Sequence, residues 1–185
     1  GDARKDNLRE MRLEALRLMR LLARHRPRLI GSVMTGHIRA GSDIDLHVFS
    51  DSIDAVTSIL DENGMVYDVE HKRVRKNDEE RIFTHVHVKD RFPFELTVYA
   101  SNLVSYVFKS SVTGKAIERA SIAQLEQFLA TEYPGLDLDA AVDEVGSKVD
   151  RFQVYQSLLL PLENVKQNPK YHPEGEALYH SLQVF

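Results

Sequence analysis

From residue 43 to residue 48, polar and apolar side chains alternate strictly, which predicts a β-strand over residues 43 to 49. The apolar set is expected to face the core: Ile44, Leu46, Val48. Asp43, Asp45 and His47 then share the opposite face. Two carboxylates side by side on one rigid strand repel each other, and this costs stability unless a cation neutralises them. The strand therefore predicts a cation site.

A third carboxylate lies in the last predicted strand, residues 93 to 99, where Glu95 and Thr97 occupy the face opposite to the apolar residues. If this strand pairs beside the strand of Asp43 and Asp45, the three acids converge. Oxygen ligands of this kind suit Mg²⁺ or Mn²⁺. Three carboxylates can hold two ions about 4 Å apart, the geometry used in phosphoryl chemistry.

Gly31 and Ser32 are predicted to belong to a strand over residues 28 to 34, which a glycine-containing loop over residues 35 to 42 follows. A glycine beside the acids would let backbone N–H groups approach phosphate oxygens, and the serine hydroxyl adds a donor. A phosphate site next to a metal site is what attack on an α-phosphorus requires.

The remaining pattern predicts an α+β fold, with a mixed β-sheet flanked by helices and an α-helical C-terminal segment. Helical spacing and breakers predict helices at residues 3 to 25, 51 to 60, 121 to 130 and 138 to 160. Pro161 is expected to end the last of these, and another helix is expected from Pro173. Further strands are predicted at residues 65 to 75 and 81 to 89, with tight turns at residues 76 to 78 and 90 to 91 that favour antiparallel hairpins.

Composition narrows the class of protein. The 185 residues are 43% hydrophobic and 28% charged, which is an ordinary globular balance. The net charge of −4 argues against binding a long nucleic acid. There is no cysteine, which fits a reducing cytoplasm, and no apolar run approaches the roughly 20 residues that span a bilayer. We therefore expect a cytoplasmic chain with no membrane partner.

The order Gly31-Ser32, ten further residues, then Asp43-Ile44-Asp45-Leu46 closely resembles the signature of the polymerase-beta-like nucleotidyltransferase superfamily, above all its small bacterial members and the aminoglycoside-modifying enzymes. The resemblance covers about residues 28 to 100. It implies that the catalytic metal ligands are Asp43, Asp45 and Glu95. It also implies that the nucleotide is contacted by Gly31, Ser32 and Ser42. The chain departs from the pattern at Val33 and Thr35, where small members often carry arginine.

A second resemblance lies at residues 168 to 182, which look like the entry to an HD-type phosphohydrolase domain, with His180 placed like the first metal ligand. The sequence stops at Phe185, before the defining His-Asp pair, so only the beginning of such a domain is implied. We accordingly divide the chain into a nucleotidyltransferase domain at residues 1 to 135 and a helical segment at residues 136 to 185.

Other polar residues receive no firm role from the sequence. His47 either touches a metal or substrate, or lines the cleft edge or lies in water. His85 and His87 alternate on one strand face, a pattern typical of solvent exposure. Lys109 and Lys115 flank a loop without the Walker spacing, so they are either loop residues or charges that offset a triphosphate.

These inferences predict a two-metal enzyme that moves a nucleoside monophosphate from an NTP to an acceptor, with release of pyrophosphate. The acceptor is left open among a small molecule, a protein and tRNA, and so is the oligomeric state. Two alternatives remain: a nucleotide-sensing module that regulates an attached HD domain without catalysis, and a structural antitoxin-like partner that binds neither metal nor nucleotide.

Overall fold

The computed structural model describes the backbone of residues 1–166, together with their side chains except at Lys76 and residues 160–166. It contains the helices α1 (Asp2–Leu21), α2 (Gly31–Thr35), α3 (Ile53–Glu62), α4 (Ile122–Glu132) and α5 (Leu138–Lys166). The strands are β1 (Arg28–Ile30), β2 (Ile44–Phe49), β3 (Val66–Lys76), β4 (Glu79–Lys89) and β5 (Phe94–Tyr99). Every helix in this part of the chain is too short or too polar to cross a bilayer.

The strands form one mixed sheet in the order β1-β2-β5-β4-β3, which confirms the predicted α+β class. Only the central pair, β2 and β5, is parallel, and the other neighbours in this sheet are antiparallel. Asn77 and Asp78 both have positive φ, 54° and 61°, and form the two-residue turn between β3 and β4. The predicted hairpin on each side of β4 is therefore confirmed.

The core lies on one face of the sheet. The alternate residues of β2 predicted to face inward are fully buried, as are Leu96 and Val86 on the neighbouring strands. Helix α1 packs against this region together with α4 and the first half of α5. The capping box predicted at Ser121 and Gln124 is present at the start of α4. The other face of the sheet carries the candidate site.

Buried charges connect α1 to the turn between β4 and β5. Glu14 is 2% exposed, and its carboxylate accepts a hydrogen bond of 3.1 Å from the Nε of Arg91. Arg91 also forms an ion pair with Glu10, 3.6 Å away. Since a buried charge is stable only when it is paired, this network fixes the turn that precedes Glu95 against the helix.

Two predicted element boundaries are wrong. The strand expected over residues 28 to 34 ends at Ile30, and the chain turns into α2 at Gly31. The Arg12 side chain donates to the carbonyl oxygens of Val33 and Met34, at 2.9 and 3.0 Å, and thereby holds this short helix against α1. Helix α5 continues through Pro161 to Lys166, so the helix end expected at Pro161 does not occur there. The helix expected from Pro173 and the HD-like segment at residues 168 to 182 lie outside the described residues.

Candidate metal centre

Asp43, Asp45 and Glu95, called the acidic triad below, converge on the open face of the sheet. The parallel pairing of β2 with β5 places Asp45 directly beside Glu95. One carboxylate oxygen from each of the three residues lies within 4.8 Å of the other two. This spacing is close enough for a single cation to contact all three. The predicted convergence is confirmed.

Gly31 is the residue that lets the preceding turn reach the triad. It has a φ of 73°, in the left-handed region that glycine adopts without strain. A Cβ at this position would lie 2.5 Å from Oδ2 of Asp45, which is far inside van der Waals contact. The backbone of Gly31 therefore lies directly against the carboxylate, at the start of α2.

The electrostatics of the triad favour a cation. Burial and then the charges of Glu95 and Asp43 raise the pKa of Asp45 to about 7. Burial and the charge of Glu95 also raise the pKa of Asp43. Both shifts mean that the ionised triad is unstable by itself. A divalent ion would remove the repulsion and lower both pKa values.

A histidine on the neighbouring strand contacts the triad. Nδ1 of His85 lies 3.1 Å from Oε1 of Glu95 and 3.2 Å from Oγ1 of Thr97, and the His85 side chain is only 17% exposed. The hydrogen-bond partner of Nδ1 is the Thr97 hydroxyl, and the contact with Glu95 is an ion pair when the ring is protonated. The His85 ring thus lies directly against the Glu95 carboxylate. The expectation of a simply solvent-exposed His85 is wrong.

His47 lies on the same face but is 3% exposed, so the sequence alternative that placed it in water is wrong. Its ring packs edge-on against Tyr99 and Phe108, with centroid distances of 4.8 and 4.9 Å. Burial and the charge of Arg119 lower its pKa to about 4. His47 is thus neutral at physiological pH and closes one side of the open face with its aromatic neighbours.

Three arginines gather at the β1 edge of this face. Arg28 pairs opposite His47, and burial and the charges of Arg119 and Arg26 lower the pKa of its guanidinium. The Arg26 and Arg119 charges thus act on Arg28, whose guanidinium donates to the carbonyl oxygens of Arg26 and Pro27 at 3.1 and 3.0 Å. This arginine cluster (Arg26, Arg28 and Arg119) lies beside His47, whose pKa the charge of Arg119 lowers, and no arginine is among the groups that shift the pKa of Asp43 or Asp45. Val33 of α2 is fully buried.

The other sequence-predicted residues lie around the triad or away from it. Ser32 follows Gly31 in α2 and is partly exposed. The hydroxyl oxygen of Ser42 accepts a hydrogen bond of 2.8 Å from the backbone N–H of Arg39, which closes a turn directly before Asp43. Lys109 pairs by its backbone with Ala116 in an exposed hairpin that also contains Lys115.

Sequence reasoning missed His85 and the arginine cluster. The sequence signal for His85 was the predicted turn at residues 90 to 91, which joins its strand to the strand of Glu95. With the register of the structure, this hairpin places His87 opposite Glu95 and His85 opposite Thr97. Arg119 had no local signal, because it reaches β1 only through the backbone bridge between Leu29 and Ala120. No family model, curated protein or solved structure matches this chain.

Proposed function

We propose that the chain is a nucleotidyltransferase that transfers a nucleoside monophosphate from an NTP to an acceptor hydroxyl or phosphate. The observation that carries this proposal is the acidic triad on two adjacent parallel strands, with three carboxylate oxygens within 4.8 Å and a glycine turn against one of them. Three carboxylates at this spacing form the ligand set of two-metal phosphoryl transfer. The resemblance in the sequence around the same residues supports the same reaction.

The triad fits divalent ions with hard oxygen preferences, Mg²⁺ or Mn²⁺. When bound, such ions would polarise the α-phosphate and neutralise the charge of the leaving pyrophosphate. Asp43 and Asp45 would be shared between two ions, and Glu95 would hold the ion on the acceptor side. His85 lies 3.1 Å from the Glu95 carboxylate, where it would help to orient this ligand.

The substrate's phosphates need positive charge beyond the metal ions. Gly31 and Ser32 offer backbone and hydroxyl donors beside Asp45, and the arginine cluster lies along the same face. In the reaction, the acceptor oxygen bonds to the α-phosphorus as the bond to pyrophosphate breaks, and the acceptor proton is released. The protein contributes mainly position and charge neutralisation.

The test is pyrophosphate release from each of the four NTPs with Mg²⁺ or Mn²⁺, across hydroxyl and phosphate acceptors. We expect release by the wild type and a loss of at least 100-fold in Asp43→Asn with Asp45→Asn, which keeps the side-chain shape. Glu79→Gln with Glu80→Gln at the distal hairpin removes the same charge and should retain the wild-type rate. Equal rates from the wild type and the aspartate variant would refute the proposal.

A nucleotide-sensing module is the second candidate, and the uncharged Val33 and Thr35 favour it. It predicts metal-dependent NTP binding that the aspartate variant loses, without pyrophosphate release under any of the conditions above. Equilibrium binding of a fluorescent NTP, measured alongside the release assay, separates the two candidates.

A further inference from the structure

A cleft lies next to the acidic triad, at the end of the sheet where β2 and β5 begin. It has a volume of about 1300 Å³ and lies between the start of α1, the loop of residues 38–42, the turn of residues 91–93 and α5. Sites for small molecules commonly enclose several hundred to a thousand cubic ångströms. The cleft is thus large enough for a small substrate with part of its solvent shell.

The cleft and the triad share their supporting segments. Ser42 and Pro93 both line the cleft, one residue before Asp43 and two residues before Glu95 respectively. The backbone N–H of Ile44 donates to the carbonyl oxygen of Pro93 at 2.8 Å, which holds the two segments side by side. Since consecutive Cα atoms are about 3.8 Å apart, the cleft wall begins within roughly 8 Å of the triad backbone.

The lining of the cleft is cationic, although the chain as a whole has a net charge of −4. It contains five basic side chains and only two acidic ones, Asp6 and Glu10. Glu10 is already paired with Lys148 and Arg91. The other three basic residues make no ion pair with any side chain that the structure describes: Arg4, Arg39 and Arg151.

These three arginines come from separate parts of the chain, α1, the loop before β2 and α5. The loop that carries Arg39 is anchored on both sides. Ile38 is 5% exposed in the core, and the backbone of Arg39 accepts from the N–H of Ser42 at 3.0 Å. Guanidinium groups that line one cleft from several sides suit an anion with several oxygens, and phosphate is an anion that guanidinium groups recognise in bidentate fashion.

The triad lies between this cleft and the arginine cluster. Along β2, Arg28 of the cluster is opposite His47, which is two residues beyond Asp45. The cleft begins at Ser42, on the other side of Asp43. The cleft and the arginine cluster are therefore two separate cationic regions, on either side of the triad along β2. A reaction between two anionic substrates requires one such region for each substrate.

We propose that the cleft binds the acceptor of the reaction, and that this acceptor is a small molecule carrying a phosphate group. The role as acceptor rests on the proposed nucleotidyltransferase function, whereas the phosphate site does not. The size of the cleft and the acidic balance of the chain favour a small molecule over a nucleic acid. The NTP is assigned to the face with the arginine cluster.

The first experiment measures binding of inorganic phosphate by calorimetry in the presence of EDTA, so that neither metal nor NTP contributes. We expect Arg39→Ala with Arg151→Ala to weaken binding at least tenfold. Arg24→Ala with Arg75→Ala removes the same charge from exposed positions away from the cleft and should change binding less than twofold. Asp43→Asn with Asp45→Asn should bind at least as tightly as the wild type.

Three results would overturn the phosphate site: no binding by the wild type, equal binding by Arg39→Ala with Arg151→Ala, or loss of binding in the aspartate variant. Citrate that binds as tightly as phosphate through the same two arginines would show that the ligand class is wrong. Melting temperatures of all variants verify that each is folded.

The second experiment uses an acceptor that supports pyrophosphate release. Phosphate should inhibit competitively against this acceptor and not against the NTP. Competition with the NTP instead would place the phosphate in the donor site and overturn the acceptor assignment. Failure of pyrophosphate release with every acceptor refutes the proposed function and, with it, the acceptor role, but leaves the phosphate-binding result standing.

Discussion

At the scale of single residues, the position of Gly31 decides whether the Asp45 carboxylate can stay in the triad. The φ of 73° alone would strain any other residue by about 1–2 kcal/mol. The more specific consequence is the contact with the carboxylate, because a Cβ would displace Oδ2 of Asp45, which would lie only 2.5 Å away. A side chain here is therefore expected to damage the metal site more than the fold.

We predict that Gly31→Ala weakens Mn²⁺ binding at least tenfold, measured by electron paramagnetic resonance. Gly41→Ala is the matched control, because Gly41 has a similar φ of 80° but no atom within 4 Å of an added Cβ. Both variants should lose about 1–2 kcal/mol of unfolding free energy to strain, and only the first should lose metal affinity. Equal Mn²⁺ affinities would show that Asp45 does not need the space that Gly31 leaves.

The close contact of His85 with Glu95 leads to a second prediction. His85→Leu removes the ring nitrogen beside Glu95 and should weaken Mn²⁺ binding about 10-fold or more, the usual effect of removing a partner that orients a metal ligand. His85→Asn should restore most of the affinity, because its amide nitrogen can occupy the place of Nδ1. A purely structural role would not distinguish the two variants.

The control for His85 is His71→Leu. Nδ1 of His71 makes a comparable contact with Oγ1 of Thr84, 3.1 Å away on an exposed part of the sheet, and this residue lies outside the triad. Its loss should leave Mn²⁺ affinity unchanged. If His71→Leu and His85→Leu weaken binding equally, the effect comes from the sheet and not from Glu95.

At the scale of secondary structure, the parallel pairing of β2 with β5 is what builds the triad. It depends on the turn before β5, which the buried Arg91 holds against Glu14 on α1. Burial raises the pKa of Glu14 to about 8, although the charge of Arg91 lowers it. Removing one partner of such a buried pair costs about 3–5 kcal/mol, because the other group is left buried without its partner. The stability of this turn is therefore linked to α1 rather than to the sheet alone.

We predict that Arg91→Met lowers the unfolding free energy by about 3–5 kcal/mol in urea denaturation. Lys89→Met is the control, because Lys89 and Asp68 form an exposed pair with an N···O distance of 2.8 Å. An exposed pair contributes about 0–1 kcal/mol, so this variant should stay close to the wild type. Similar losses from both variants would mean that burial of the Arg91 pair is not the cause.

Element boundaries separate what local pattern can predict from what it cannot. The hairpin turn at Asn77 and Asp78 and the capping box at Ser121 were readable, since both depend on residues that are neighbours in sequence. The end of β1 at Ile30 was not, because the chain turns there to bring Gly31 against Asp45 and to meet Arg12. Those partners are distant in sequence.

At the scale of the whole molecule, the triad links stability to pH and to metal. The pKa of Asp45 rises from the ordinary value of 3.8 to about 7 in the folded chain. A raised carboxyl pKa stabilises the fold fully below the unfolded value, and this contribution is lost as the pH rises through about 7. Without metal, Asp45 and Asp43 should thus destabilise the protein at pH 8 relative to pH 5.

We predict that Mg²⁺ at about 100 times its Kd raises the melting temperature by roughly 5–10 °C at pH 8, since such binding adds about 2.7 kcal/mol. At pH 5 the shift should be small, because a protonated Asp45 is a poor ligand. Comparing the melting temperatures with and without Mg²⁺ at each pH separates the effect of the triad from that of other buried carboxyls, such as Glu14. Asp43→Asn with Asp45→Asn should show no shift at either pH, and an equal wild-type shift at both would contradict the linkage.

The sequence by itself determined the strand of Asp43 and Asp45, the strand of Glu95 and the face that each carboxylate occupies, because alternation is a local property of the chain. It also determined the mixed α+β class. Only the tertiary structure decided that β2 and β5 are parallel neighbours, that His85 contacts Glu95, that the arginine cluster lies beside His47, and that a cationic cleft begins at Ser42 and Pro93. Those features depend on strand order and register, which are set by packing between residues far apart in sequence and leave no short-range pattern.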